Sequence, residues 1–120
     1  MTREQRKAGI KDVDGKVMMH LLCPGHLVDM ARVRQFGTEK YQSPWGWTEG
    51  DTWSNFYDAA IRHLFAWVAG EDNDPESGLP HIAHAAVSLM FIAEFERMGK
   101  GLDNRPRGLL SNPMSGEGKR

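Results

Sequence analysis

A single cysteine, Cys23, stands in the 120 residues, so an internal disulfide is excluded. The basic opening lacks the apolar run and small-residue cleavage site of a signal peptide, and the chain is expected to work in a reducing cytoplasm. No stretch approaches the roughly 20 continuous apolar residues that a bilayer span requires; even the run after Pro80 is broken by His81, His84 and Ser88. Walker-type glycine loops, dinucleotide fingerprints and nucleophile elbows are missing, as are internal repeats. What is present is an ordinary soluble balance, 40% apolar and 26% charged, in a length that suits one core.

Cations are scarce where they would matter for nucleic acid. Residues 17 to 98 carry only Arg32, Arg34, Lys40, Arg62 and Arg97 and sum to −6, whereas residues 1 to 16 sum to +2 and residues 99 to 120 to +3. A core that bound nucleic acid would present a basic face to displace phosphate counterions. No stable nucleic-acid binding is therefore expected, and the basic ends read as solvated. The chain divides into a mobile arm (1–16), a domain (17–98) and a flexible basic tail (99–120).

Hydrophobic spacing predicts an all-α fold, a small bundle of three main helices. Val17 to Leu22 reads as extended or strand-like. Leu27, Val28, Ala31, Val33 and Phe36 form the stripe of a first helix, His26 to Phe36, stopped by Gly37. Thr38 to Asp51, with Trp45, Trp47 and three breakers, reads as a long structured loop. A second helix capped by Thr52 or Ser54 turns Phe56, Ala59, Ala60, Leu64, Trp67 and Val68 inward and ends at Gly70. Its other side carries Asn55, Asp58 and Arg62. After the acidic connector 71–79, the helix from Pro80 to Met98 is apolar nearly all round. Such an element needs burial on most sides, by its own chain or a second subunit, so a homo-oligomer is expected.

The connector carries the most specific chemistry. His81, His84 and Ser88 lie on one face of the last helix, and a short link makes the last two helices antiparallel neighbours. Glu71, Asp74, Glu76, His81 and His84 should then converge near His63. Two readings stand side by side. In one, carboxylate and imidazole hold a divalent cation, Mg2+ or Mn2+ if oxygens dominate and Zn2+ if both histidines bind. In the other, the connector is a solvated acidic turn with Asp74 or Ser77 capping the last helix. On the first, Asp74→Ala should abolish metal affinity and leave the fold intact or more stable by relieving repulsion. Arg62 suits either an ion pair with Asp58 or a phosphate. Lys40 with Tyr41 could hold a phosphate, and Trp45 or Trp47 could stack on a base or roof the core.

The run Phe36-Gly37-Thr38-Glu39-Lys40-Tyr41, then Trp47, the Arg62-His63 pair, and Gly70-Glu71-Asp72-Asn73-Asp74-Pro75-Glu76-Ser77-Gly78 followed by His81 and His84 resembles the phage and bacterial dATP/dGTP diphosphohydrolase N-terminal domain family. His20 and Cys23 stand where that pattern has Asp and Pro. Such proteins look like relatives of the MazG-like all-α pyrophosphohydrolases, although the E-E-x-x-E helix of that wider group is missing here. The resemblance implies Mg2+-assisted cleavage of a purine deoxynucleoside triphosphate into monophosphate and pyrophosphate. Joined with the clustering, it suggests Glu71, Asp74, His81 and His84 as metal ligands and Glu76 or His63 as proton acceptor. Lys40, Tyr41, Trp47 and Arg62 would bind substrate, with backbone donors of the last helix turned toward an anion. The rival expectation is a non-catalytic module that oligomerises through its last helix and docks a basic partner on the acidic turn.

Overall fold

The computed structural model describes residues 1–115. Its described elements are helices: α1 (Arg3–Lys7), α2 (Pro24–Tyr41), α3 (Trp53–Val68) and α4 (His81–Met98), with 3-10 turns at Met19–Leu21 and Gly46–Glu49. None is long and apolar enough to cross a membrane. Lys119 and Arg120 of the basic tail lie outside the described residues.

Sequence and structure part first at the N-terminus. Residues 1 to 16 show no apolar period, yet a reciprocal cap between Thr2 and Gln5 closes the short α1. The Val17–Leu22 piece, expected to be extended, folds into the Met19–Leu21 turn.

Helix α2 starts with Pro24 at its first position and runs through Gly37 to Tyr41, where Gln42 takes a left-handed φ of 54°. Gly37 was expected to stop it, but a glycine ends a helix only where the chain turns there. Lys40 and Tyr41 therefore ride on the last turn of a helix, not at the entrance of a loop.

The axis of the bundle is α4. Ala83, Val87, Phe91 and Phe95 pack with Val33 of α2, and Trp47 and Phe56 lean onto the same cluster. Phe56, near the start of α3, meets Phe91 and Phe95 edge-on at 5.6 and 5.3 Å, while His63, further along α3, reaches His81 at the start of α4. The two helices are therefore antiparallel, as the short connector implies. Trp67 and Val68, expected inward, are 47% and 70% exposed. Among the described residues α3 packs chiefly on α4, and it fully buries only Ala60. On α4, Leu89 and Met90 also remain exposed, so the described residues do not cover that helix on all sides.

The chain after Gly99 first folds back on α3. Trp53 N–H donates to the Leu102 carbonyl (3.0 Å), Leu102 N–H to Asp51 (3.1 Å), and the Trp53 indole to the Lys100 carbonyl (2.9 Å). Asn104 supplies the start of α3 with what Thr52 and Ser54 were expected to give: its amide oxygen accepts from Ser54 N–H and its nitrogen donates to Ser54 Oγ. Arg105 and Arg107 both bind Asp103 and hold its carboxyl well below the usual range. The crossing is possible because Gly50 and Gly101 touch backbone to backbone, both at positive φ. A Cβ on Gly50 would sit 2.7 Å from Gly101 Cα.

Gly50→Ala should therefore lower the melting temperature by about 4 °C or more, from strain of roughly 1–3 kcal/mol. Gly25→Ala, within α2 and facing open space, should leave it unchanged or raise it. Equal melting temperatures for the two variants would show that the return of residues 100–104 contributes nothing to stability.

Candidate functional site

The acidic connector is a tight backbone ladder. Asp74 N–H donates to Leu79 (2.8 Å), Gly78 N–H to Asp74 (2.7 Å) and His81 N–H to Asp72 (3.0 Å), with Asn73 bridging Pro80. Helix α4 has no side-chain cap; Asp74 instead turns its carboxylate onto the N–H groups of Glu76 and Ser77. That role corrects the expectation for Asp74→Ala. Removing a carboxylate that holds the turn should destabilise it, whatever repulsion is relieved.

The ladder sets His81 against His63. Their Nδ1 atoms are 2.9 Å apart, and His63 Nδ1 lies 3.7 Å from Asp74 Oδ2. One ligating atom from each of His63, Asp74 and His81 falls within 4.8 Å of the other two. His81, 3% exposed, places Nε2 2.6 Å from Glu71 Oε1. With the carboxylate accepting the Nε2 proton, Nδ1 of His81 carries the lone pair and His63 donates across the gap. His84 lies flat on His63, rings 4.5 Å apart and 12° from parallel, and pairs through Nε2 with Ser77 Oγ at 2.7 Å.

Burial and the positive ends of neighbouring imidazoles set the charge state. His63 is held below the ordinary imidazole range by burial, then by His84, His81 and Arg62, against the opposing pull of Asp74. His84 is lowered by burial and by His81, with Asp74 and Glu76 opposing. For Asp74, burial pushes upward, but the backbone N–H groups of Glu76 and Ser77 and both imidazoles outweigh it and the carboxyl is lowered. Near neutral pH His63 and His84 are thus neutral imidazoles beside the Asp74 carboxylate, the protonation state in which such side chains ligate metals.

The cluster forms one wall of a cleft of about 830 Å3 between α2, α3 and α4. Lys40 spans its rim to Glu76 (2.7 Å), and this hydrogen bond holds the ammonium above its usual range. Arg62 and Trp47 line the cleft. Trp47 packs 5.4 Å from Phe91, and its buried indole N–H has no partner among the described residues. Tyr41, 72% exposed, lies under the Lys40 ammonium at 5.5 Å.

The structure therefore brings Asp74 and His81 together as expected and adds His63, which the resemblance joined with the clustering had suggested, beside Glu76, as a proton acceptor. Glu71 stands behind His81, His84 faces Ser77, and Glu76 faces Lys40. Sequence reasoning passed over Arg34. It lines the cleft, caps the Phe91 ring at 5.0 Å and donates to the Pro44 carbonyl. Once α2 continues past Gly37, Arg34, Gly37 and Tyr41 share one face at i, i+3 and i+7. A helical reading of the Gly37 region would have revealed it.

Residues 6–105 match the family model described as dATP/dGTP diphosphohydrolase, N-terminal. A curated Salmonella phage PMBT28 protein named dATP/dGTP diphosphohydrolase is 37% identical over 99 residues, 82% of this chain and 31% of its own length. The chain thus spans about a third of that relative. No solved structure matches.

The lowered imidazoles imply a pH dependence of stability in the metal-free chain. Unfolded histidines take protons near 6.5, whereas folded His63 and His84 do so only at lower pH. The unfolded state binds more protons in that window, so stability falls as pH falls through it. The lowered Asp74 adds a loss of the same sign below 3.8. Melting temperature should drop between about pH 7 and about pH 5, and less steeply in His84→Gln. Parallel slopes for the two proteins would contradict the account.

Proposed function

The chain belongs to the dATP/dGTP diphosphohydrolase N-terminal family, and from that premise we propose that it hydrolyses purine deoxynucleoside triphosphates to monophosphate and pyrophosphate with a divalent cation. The observation that carries this reading is one cleft in which His63, Asp74 and His81 face the same space as Lys40 and Arg62. Two imidazole nitrogens and a carboxylate oxygen within 4.8 Å fit the chelation of a divalent ion. When bound, such an ion supplies Lewis-acid polarisation of a phosphate and eases deprotonation of water.

The chain's own residues do the rest. Lys40 and Arg62 offset the negative charge of a triphosphate, and the planar guanidinium can grip two oxygens at once. Glu76, held at the rim by Lys40, takes the proton of the attacking water. Trp47 and Tyr41, from the loop and from the end of α2, flank the base. Asp74 does double duty, since the carboxylate that meets His63 also ties the turn.

The exposed apolar residues of α4, Leu89 and Met90, favour a second reading. In it the chain acts as an oligomerising module, with a second copy covering this face. The two are compatible, and only catalysis distinguishes the enzyme from the module.

Purified chain given dATP, dGTP, dCTP and dTTP with Mg2+, Mn2+ or Zn2+ should release pyrophosphate from the purine nucleotides. Arg62→Ala should lower kcat/KM by about 100-fold, the loss typical of one donor to developing charge. No release from any of the four with any of the metals leaves the oligomerising module, for which light scattering of the eluted chain should report more than one copy.

A further inference from the structure

We infer that His63, Asp74 and His81 form a site for Zn2+, discriminating against the Mg2+ that the resemblance implies. The inference deepens the proposed function by naming its cation, and it rests on that reading only for the ion's use, not for its binding. Three observations carry it.

The first is the donor chemistry. The atoms that converge are two imidazole nitrogens and one carboxylate oxygen. Mg2+ takes oxygen ligands in near-octahedral geometry and keeps much of its water, so two nitrogens in the first set of three donors suit it poorly. Zn2+ accepts nitrogen readily and takes three protein ligands where a fourth position is left for water or substrate.

The second is spacing. Zn–N and Zn–O bonds near 2.0–2.1 Å place tetrahedral ligands about 3.3 Å apart. The gap between His63 Nδ1 and His81 Nδ1 is 2.9 Å, and His63 Nδ1 lies 3.7 Å from Asp74 Oδ2. These two edges bracket the required value, and all three donor atoms lie within 4.8 Å of one another.

The third is support behind the donors. His81 Nε2 is paired with Glu71 at 2.6 Å, the carboxylate–histidine arrangement that fixes a ligand's tautomer and raises its basicity. His63 is backed by the stacked His84 ring, and Asp74 by two backbone N–H groups. Glu71 is thus a positioning residue, and His84, which sequence spacing suggested as a ligand, holds His63 flat.

The full chain, stripped with chelator and titrated with ZnCl2 or MgCl2 alone, tests this without any nucleotide. Calorimetry should give one Zn2+ per chain and no Mg2+ heat at matched concentration, and Zn2+ should raise the melting temperature. His63→Asn should abolish Zn2+ binding while keeping the helical circular dichroism of the parent, and His84→Gln should retain binding. Glu71→Ala should weaken it roughly 10- to 100-fold, with Glu71→Gln restoring part of the loss. Co2+ substituted into the unaltered chain should give the intense visible absorption of a low-coordinate nitrogen–oxygen site, a readout independent of any variant's folding. Mg2+ binding equal to Zn2+, or Zn2+ binding that survives His63→Asn, overturns the inference. Pyrophosphate release with Mg2+ and no Zn2+ site overturns it and leaves the proposed function standing; a Zn2+ site without hydrolysis does the reverse.

Discussion

The backbone ladder between residues 72 and 81 is the constraint from which the site follows. Its hydrogen bonds, Asp74 to Leu79 and His81 to Asp72, fix where α4 begins relative to the end of α3. Because α4 has no side-chain cap of its own, the ladder also disposes of a helix-end donor, the His81 N–H, that would otherwise be unpaired. The consequence reaches the chemistry directly. His81 enters beside His63 about a turn and a half before α3 ends, and the carboxylate tying the loop lies within reach of both. A looser link of the same length would leave helix phase free and scatter the donors.

The second organising feature is how so few cations are used. Among residues 17 to 98, five face eleven acidic side chains, and Arg34, Lys40 and Arg62 line one cleft. Arg34 is committed to Pro44 and Phe91, so its contribution is partly to hold the loop that carries Trp47. Lys40 bridges α2 to the connector through Glu76. Exposed pairs of this kind contribute little to folding. Their location at the rim is better understood through the field they create inside the cleft, where positive groups oppose the acidic wall and favour an anionic guest.

The parts of this arrangement legible in the sequence were those set by period and by connector length. The apolar runs of α3 and α4 gave their extents closely, and the short acidic connector read at 71–79 implied an antiparallel pair. Periodicity fixes the face on which a histidine lies, not the direction of its ring. His84 and His63 accordingly exchanged places between the expected ligand set and the observed cluster. Gly37 misled because glycine lowers helix propensity without dictating a stop. The fold-back of residues 100–104 was hidden for a related reason: Gly, Asn and Asp read as loose chain, yet Gly50 and Gly101 are what let two backbones touch, and Asn104 is what caps α3. Trp67 and Val68 follow a clean amphipathic spacing and are still exposed, because a spacing says which residues could be covered and not whether a neighbour is there to cover them.

Three histidines stacked and paired in a half-buried seam are a poor choice for stability alone. Each loses hydration, His63 and His84 are discouraged from protonation by burial and by their imidazole neighbours, and the single hydrogen bond between His63 and His81 leaves further ring nitrogens to be satisfied. Leucines of similar size would fill the same seam without that cost and without its pH sensitivity. Core packing elsewhere in the chain shows that such a solution is accessible, since Ala83, Val87, Phe91 and Phe95 continue along the same helix as a dry cluster. The polar end of α4 therefore differs from its apolar end by chemistry, not by packing need. Groups held neutral by burial beside a carboxylate held ionised are the pairing from which cation binding and proton transfer are built, and that pairing lines the cleft beside the start of α4 while the aromatic half of the helix anchors the bundle.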